Sequence, residues 1–212
     1  MDLQLKNASL KLMYFNMRGR GELLRSILYA AGKEFTDQRI DLRNWLALKP
    51  KMPFGQVPVL EVTPPSGKTI LLTESLAIAR LLGRAFQMYG NSPMDIYYIE
   101  RILSVTAIVE NDVYALMLSK AADVHLHLKN AYITEKLDTL LEFMKEMTGP
   151  FIGGKSLTIA DLELLILQDL VDRAYPNLKH DVKERLTTLR SNVFRDRPAL
   201  ERYYKSRPQT EF

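Results

Sequence analysis

Residues 10–22 read LKLMYFNMRGRGE, and this stretch decides the fold of the first part of the chain. Its first six residues are mostly apolar and stop at a turn signal, which is typical of a short buried strand. Apolar residues at helical spacing follow as far as Gly32, so a helix is predicted over residues 22–31. Strand, turn and helix together place the Tyr14 phenol and the side chains of Arg18 and Arg20 at the opening where the strand ends. This arrangement is suited to binding an anion. By itself, a tyrosine that ends a strand is more often a packed residue than a catalyst.

The composition is that of an ordinary globular protein. The chain has 212 residues, of which 47% are hydrophobic and 25% charged, enough for one or two domains with a sizeable core. No apolar run approaches the roughly 18 residues that a membrane helix needs, and the N-terminus lacks a signal-peptide core. We therefore expect a cytoplasmic protein with no membrane partner.

The lack of cysteine limits the chemistry. Without it the chain has no disulfide, no zinc-thiolate site and no thiol nucleophile, so any thiol chemistry must use a thiol from outside. The net charge of +4 comes from scattered residues, which favours small anionic ligands over nucleic acid. Beyond the i, i+2 pair of His125 and His127, the three histidines His125, His127 and His180 have no partners at metal-ligand spacing, so we interpret them as surface helix residues and expect no metal.

Up to residue 86, short apolar segments alternate with helical ones. Strands are predicted at 10–15, 35–40, 59–62 and 69–72, an irregular segment at 45–54, and helices at 22–31 and 75–86. A short, turn-rich link joins the last two strands, so they should pair antiparallel as a hairpin. This order predicts a small mixed sheet with helices packed on it.

Beyond residue 94 the pattern is helical, with no strand signal. Helices are predicted at 94–118, 126–147, 159–171, 182–191 and 198–205. The third of these is apolar on nearly every side, which indicates a helix in the middle of a bundle. Thr158 and Asp161 at its start form a variant of the capping box, so we interpret both as structural.

Two further motifs complete a pattern for ligand binding. In the sequence Gln-Val-Pro-Val at 56–59, a proline just before a strand cannot donate a ladder hydrogen bond and fits a cis peptide. Such a turn can offer the N–H and C=O of Val57 to the backbone of a peptide ligand. Glu74 and Ser75 lie at a helix start, where Ser75 and the first N–H groups can hold a carboxylate and Glu74 an ammonium. These features together fit a short peptide that carries a thiol.

In this ordered set the chain resembles the glutathione transferases, and most of all their sigma class. The stretches that carry the resemblance are residues 14–22, Trp45, Lys49, 56–58, 74–80, 158–162 and 207–208. It implies an α/β thioredoxin-like N-terminal domain with a mixed four-stranded sheet, an all-helical C-terminal domain, and a homodimer. We expect the first domain at 1–87 and the second at 95–212, joined by a linker at 88–94.

The resemblance also implies residue roles. Tyr14 would donate its hydroxyl hydrogen bond to the glutathione sulfur and favour the thiolate, while Arg20 would add positive charge nearby. Trp45 and Lys49 would contact the glycyl end, the lysine pairing its carboxylate. The remaining glutathione contacts that it implies, from the glycyl end to the γ-glutamyl group, are Gln56, Val57, Pro58, Glu74 and Ser75. Without the resemblance, Arg20 is a surface salt-bridging residue, Trp45 a core residue and Lys49 a solvated charge.

The electrophile pocket is expected beside Tyr14, lined by Met17, Gly19 and Tyr114. Met17 is soft and adaptable, which suits varied apolar substrates. For a methionine or tyrosine at helical spacing, plain core packing is the alternative.

One departure from the sigma pattern lies in the long helix after residue 94. Sigma members often carry an acidic pair there, whose second aspartate reaches the γ-glutamyl amine in the other subunit's site. This chain has Ala107 and Ile108 instead, with Asp112 one helical turn beyond Ile108. Either Asp112 substitutes, or the contact is absent and Glu74 acts alone; absence is favoured.

The activity that the resemblance implies is conjugation of glutathione to apolar electrophiles. A second hypothesis keeps the site but isomerises prostaglandin H2 to D2 and returns the glutathione. A third is a non-catalytic structural or ligand-carrying protein, like the lens S-crystallins. In the implied homodimer, Phe54 could serve as an intersubunit plug, with an exposed loop residue as the alternative.

Overall fold

A computed structural model gives the architecture of the protein. It describes residues 3–65, 67–118 and 124–210, and of residues 116–118 and 124–132 the backbone alone. By packing, the chain divides into a first unit, Met1–Met88 with Arg197–Phe212, and a second unit, Tyr89–Asp196.

The first unit is built on a mixed sheet. Its strands are β1 (Ser9–Phe15), β2 (Thr36–Ile40), β3 (Val59–Thr63) and β4 (Ile70–Leu72), in the spatial order β2-β1-β3-β4. β1 pairs parallel with β2 and antiparallel with β3, and β3 pairs antiparallel with β4. The predicted four-stranded mixed sheet and its terminal hairpin are confirmed.

The register of the sheet gathers four strand ends at one edge. Phe15 at the end of β1 lies opposite Ile40 at the end of β2, and Met13 lies opposite Val59 at the start of β3. Leu72 at the end of β4 pairs with Leu60, one residue after the start of β3. The segments that follow β1, β2 and β4 and the one that precedes β3 therefore emerge together, at what we call the Phe15 edge.

Most helices lie near their predicted positions, but a short helix at Trp45–Leu48 occupies part of the segment predicted to be irregular. The helices are α1 (Glu22–Ala30), α2 (Trp45–Leu48), α3 (Ser75–Ala85), α4 (Pro93–Leu118), α5 (Val124–Lys145), α6 (Ile159–Ala174), α7 (Val182–Asp196) and α8 (Pro198–Ser206). In the first unit α1 packs against α3. Leu24, Ile27 and Leu28 of α1 are fully buried, as the helical spacing of these residues requires.

The last helix joins the first unit, which differs from the predicted helical domain of 95–212. α8 packs on α1, where the Tyr203 ring stacks on the Tyr29 ring at a centroid distance of 4.1 Å. The hydroxyl groups of Tyr204 and Ser26 lie 3.3 Å apart, within hydrogen-bond distance. The reason for the difference is long-range packing of these aromatic rings, which helical periodicity does not specify.

The second unit is helical over its described residues, and α6 lies at its centre. α6 packs against both α4 and α7, and its apolar residues from Ile159 to Val171 are buried, as predicted. The predicted capping box is confirmed: the Thr158 N–H donates to the Asp161 carboxylate at 2.7 Å, and the Thr158 side chain accepts the return bond. Both residues are buried, which agrees with a structural role.

His180 differs from its interpretation as a surface helix residue. It precedes α7 with a side chain that is 7% exposed. Its Nδ1 accepts the Val182 N–H at 3.1 Å, and its Nε2 lies 3.0 Å from the Asp138 carboxylate. His125 and His127 lie outside the described side chains.

Across the described ranges, no helix combines the length and apolar content that crossing a membrane requires. In the same ranges, no three His, Asp or Glu residues come together as a group that could hold a metal ion.

Candidate functional site

Tyr14 lies one residue before the end of β1 and is largely buried. Its ring is tilted against the Phe15 ring, with the centroids 5.5 Å apart. Its hydroxyl oxygen accepts the backbone N–H of Arg20 at 3.1 Å. A phenol that accepts this bond keeps its own O–H as a donor, and the N–H favours negative charge around the oxygen.

Two glycines in the turn after β1 pack directly against Tyr14. A Cβ at Gly19 would lie 2.6 Å from the Tyr14 hydroxyl oxygen, and the φ of Gly19 is +40°. A Cβ at Gly21 would lie 2.4 Å from Cδ1 of the same ring. A side chain at either position would displace the phenol. The close approach of Gly21 is a feature that the sequence reasoning missed, although the Gly-Arg-Gly spacing could have signalled it.

The other predicted site residues of this segment, Arg20 and Met17, lie in the turn that follows β1. Arg20 contacts Tyr14 through its backbone amide, while its side chain is exposed. Met17 is half-buried in the same turn. Arg18 donates to the Thr210 carbonyl at 2.9 Å, so the C-terminal segment touches this turn.

Trp45 follows β2 and packs back onto the end of β1. Its ring meets the Phe15 ring edge-on, at a centroid distance of 5.0 Å and an angle of 80°. Both rings pack with Val57 against the cluster of Met13, Ile40 and Val59. The structure therefore brings together, through one apolar cluster, residues that the sequence places in three separate segments.

Lys49 and Gln56 are exposed beside this cluster. The Lys49 side chain runs close to Gly55, where an added Cβ would lie 3.4 Å from the Lys49 Cε. A cationic side chain is thus held next to the segment that leads into Val57.

Val57 and Glu74 reach the Phe15 edge from neighbouring strands. The Val57–Pro58 peptide is cis, as the proline before β3 favours. The last pair of the β3–β4 register is Leu60 with Leu72, which lie two residues after Pro58 and two residues before Glu74. Glu74 precedes α3 with φ 69° and ψ 103°, a left-handed conformation that is strained for a residue with a Cβ. Its side chain is exposed, and Ser75 begins the helix.

The charges at the Phe15 edge suit a ligand with two different ends. Lys49 follows α2, whereas Glu74 follows β4, and both are exposed. The N-terminal amides of the 11-residue helix α3 add positive potential beside Glu74. This edge can hold an anionic group near Lys49 and, near Glu74 and Ser75, a group that carries both an ammonium and a carboxylate.

The second-unit residues of the predicted site lie on α4. Tyr114 and Asp112 are half-buried, and Ile108 is 42% exposed. Burial raises the pKa of Tyr175, and the charge of Asp112 raises it further. Asp112 therefore acts on a group inside its own unit.

Comparison with known proteins finds similarity over nearly the whole chain. A family model described as "Glutathione S-transferase, N-terminal domain" matches residues 10–84. The Schistosoma japonicum "Glutathione S-transferase class-mu 28 kDa isozyme" is 31% identical over 213 residues, which cover 95% of this chain and 100% of that protein. The Homo sapiens "Hematopoietic prostaglandin D synthase" is 33% identical over 205 residues, which cover 95% and 98% respectively.

A solved structure, "Fasciola hepatica sigma class GST", aligns with a TM-score of 0.86 and 31% sequence identity. The alignment covers 97% of this chain and 100% of that one.

Proposed function

The chain belongs to the glutathione S-transferase family, and from that premise we propose that it ionises glutathione and conjugates it to apolar electrophiles. The predicted resemblance to the sigma class and the predicted fold are confirmed by the match to a sigma-class structure. The observation that carries the proposed chemistry is the Tyr14 hydroxyl, which accepts the Arg20 amide at the Phe15 edge.

Tyr14 is proposed to stabilise the glutathione thiolate. A free thiol has a pKa of about 8.5, so only a few per cent is ionised at neutral pH. A hydrogen bond from the phenol, with the positive charge of Arg20 nearby, favours the anion over the thiol. A pKa lowered by about two units corresponds to about 2.7 kcal/mol and makes the thiolate dominant at neutral pH.

The remaining contacts follow from the charges at the Phe15 edge. Lys49 is proposed to pair the glycyl carboxylate, with Trp45 and Gln56 beside it. The backbone N–H and C=O of Val57, set by Pro58, would pair with the cysteinyl backbone. Glu74 and Ser75 would hold the ammonium and carboxylate of the γ-glutamyl group.

Met17 and Gly19 are proposed to line the electrophile pocket beside Tyr14, with Gly19 also leaving room for the phenol. We propose that the cross-subunit acidic contact is absent, because Ala107 and Ile108 stand where sigma members carry the acidic pair. A glutathione affinity that changes in Asp112→Ala would contradict this.

A homodimer is proposed as well. Phe54 is 86% exposed, with its backbone in the left-handed region at φ 55°, so a large apolar side chain is displayed from a strained turn. A second copy of the chain would cover it. Sedimentation should give a particle of twice 24.4 kDa, and a monomer would contradict the proposal.

The decisive experiment compares Tyr14→Phe with the wild type in conjugation of glutathione to an aryl halide. A hydrogen bond to a charged group contributes about 1.5–3 kcal/mol, so turnover should fall by about 10- to 100-fold. Glutathione binding, measured by calorimetry, should stay within about threefold, because the phenol contributes to ionisation more than to affinity.

The matched control is Tyr97→Phe, which removes a hydroxyl from a tyrosine that is 54% exposed on α4. It should conjugate at the wild-type rate. Equal rates in Tyr14→Phe and wild type would remove Tyr14 from the mechanism. A wild type that neither binds glutathione nor conjugates it would favour the non-catalytic alternative.

A second candidate activity is the isomerisation of prostaglandin H2 to D2, favoured by 33% identity to a protein named as a prostaglandin D synthase. It would use the same thiolate and release glutathione unchanged. Incubation with the endoperoxide should then give D2 in excess of spontaneous breakdown, and breakdown products alone would exclude it.

A further inference from the structure

The guanidinium of Arg25 joins the turn after β1 to the rest of the first unit. Arg25 lies on α1 and its side chain is 0% exposed. One terminal nitrogen donates to the Met17 carbonyl at 2.7 Å, and the other donates to the Phe15 carbonyl at 3.1 Å. Nε donates to the two carboxylate oxygens of Asp37 at 3.0 and 3.2 Å. One side chain thereby connects α1, β2, the end of β1 and the start of the turn that follows it.

These bonds fix the segment that aligns Tyr14. Phe15 and Met17 lie between Tyr14 and Arg20, whose amide bonds the Tyr14 hydroxyl. The Arg25 guanidinium carbon is also 5.7 Å from the centroid of the Tyr14 ring. A rigid, planar guanidinium can hold two carbonyl groups in a fixed relation, which the single ammonium of a lysine cannot.

We propose that Arg25 is a positioning residue for thiolate formation: it holds the Phe15 and Met17 carbonyls and so keeps the Arg20 amide on the Tyr14 hydroxyl. Arg25 itself touches no reacting atom. The catalytic consequence rests on the proposed function, whereas the effect on the turn does not.

Nearby carboxylates hold the Arg25 charge in place. Glu22 lies 3.5 Å away on the same helix, and it accepts hydrogen bonds from Tyr203 and Arg207 of the C-terminal segment. With Asp37 on the other side, the buried cation is compensated from two directions. The guanidinium is therefore fixed by its partners before it fixes the turn.

The test uses Arg25→Lys, which keeps the charge but loses the fork, and Arg25→Met, which loses both. Three quantities are measured at a temperature where each variant is folded: kcat and KM for conjugation, the apparent pKa of glutathione bound to the enzyme, and hydrogen exchange at the Arg20 amide. In both variants we expect the pKa of bound glutathione to rise by about one unit, which is a tenfold loss of thiolate below that pKa.

The expected pattern separates positioning from stability. The value of kcat should fall by about tenfold at about pH 5.5, well below both pKa values, and by about threefold at about pH 7, while KM for glutathione changes by less than about threefold. The Arg20 amide should exchange about tenfold faster, because its bond to Tyr14 is no longer held. A residue that only stabilised the fold would lower the melting temperature without moving the pKa of bound glutathione.

Arg190 on α7 provides a matched control. It donates to the Leu165 carbonyl at 2.9 Å and to the Gln168 side chain at 2.7 Å, and it pairs with Asp169, all in the second unit. Arg190→Lys should lower stability without changing the pKa of bound glutathione or the exchange of the Arg20 amide.

Asp37→Asn provides a second test of the proposal in case the Arg25 variants do not fold. It leaves the guanidinium in place but weakens the bonds to Nε, so it should shift the same quantities in the same direction by a smaller factor. The proposal is overturned if Arg25→Lys or, where that variant is unfolded, Asp37→Asn keeps the wild-type pH profile and Arg20 exchange. A wild type that does not ionise glutathione would overturn the proposed function alone, since Arg20 exchange would still decide whether Arg25 holds the turn.

Discussion

Two buried glutamates, one in each unit, have opposite surroundings. Glu22 is 1% exposed, and both its oxygens accept the Tyr203 hydroxyl at 3.0 Å while Arg207 donates to one of them at 2.6 Å. Glu163 on α6 is 3% exposed, and among the described residues its hydrogen-bond donor is the Thr106 hydroxyl, at 3.5 Å. The first carboxylate is surrounded by strong donors, whereas the second lies in an almost apolar position.

This difference shows two ways in which a folded protein accommodates a buried acid. Burial raises the pKa of Glu163 to about 7, so protonation removes a charge that has no cationic partner among the described residues. Glu22 instead lies between Arg25 and Arg207, and the three side chains tie α8 to α1. In the first unit, buried ion pairs fix the geometry next to Tyr14. In the second unit, apolar packing fixes the interior around α6.

Removing the paired carboxylate should have the largest effect. Glu22→Gln removes the buried counter-charge of Arg207 and one of the two carboxylates that face Arg25, which keeps Asp37. Breaking a buried ion pair by changing one partner costs about 3–5 kcal/mol, so the free energy of unfolding should fall by about that much. Urea denaturation followed by circular dichroism measures it.

The control is Glu201→Gln on α8, a half-buried residue that pairs with the exposed Lys205. A surface pair contributes about 0–1 kcal/mol, so this variant should unfold close to the wild type. If both glutamine variants lose the same small amount, the Glu22 cluster is no stronger than a surface pair and the comparison fails.

Replacing the Glu163 carboxylate should have a smaller effect of opposite sign. The pKa of Glu163 rises from 4.5 to about 7 in the folded protein, so between these values the folded state binds more protons than the unfolded state. Stability from this group is therefore complete below about pH 4.5 and is lost as pH rises through 7, by up to about 3 kcal/mol. Glu163→Gln should lack this loss and be more stable than the wild type at pH 8.

The measurement is the difference in unfolding free energy between Glu163→Gln and wild type at pH 5 and pH 8. Glu135→Gln, at an exposed position of α5, should give the same difference at both values. A Glu163→Gln variant that is less stable at pH 8 than at pH 5, relative to wild type, would mean that Glu163 has a cationic partner.

The elements of this fold are predictable from the sequence because their signals are local. The alternation around Tyr14, the turn-rich link before β4 and the Thr158 capping box each lie within a few residues. The antiparallel pairing of β3 and β4 follows from the short link between them. The place of α8 is not predictable in this way, because it depends on the Tyr203 ring meeting Tyr29, far away in sequence.

The residues of the candidate site also differ in whether a local sequence signal identifies them. Tyr14, Val57 and Glu74 can be named from motifs, and the sheet register then brings their segments to one edge. Arg25 cannot be named, because a single charged residue between Leu24 and Ile27 reads as an ordinary helix position. Arg25 fixes the turn through the backbone carbonyl groups of Phe15 and Met17, and a sequence does not show which backbone carbonyls a side chain will meet.

The third buried carboxylate, Asp161, is intermediate between Glu22 and Glu163. It has no arginine among its described hydrogen-bond partners but accepts from the Ile152 N–H, the Thr158 N–H and the Thr158 hydroxyl, each at 2.7 Å. Burial raises the pKa of Asp161 to about 6, against the opposing effect of these bonds. For Asp161, neutral donors thus offset part of the rise in pKa that desolvation causes. For Glu163, almost the whole of that rise remains.

Thr158→Ala should therefore have the smallest effect of the series, and one that depends on pH. Loss of a cap at a helix start costs about 1–2 kcal/mol. The loss should be greater at pH 8 than at pH 5, because the missing hydroxyl donates to the ionised form of Asp161 and its removal raises that pKa further. Thr158→Ser keeps the hydroxyl and should stay within about 0.5 kcal/mol of wild type. Equal losses in the alanine and serine variants would assign the effect to the methyl group, and a loss independent of pH would show that the hydroxyl does not stabilise the carboxylate.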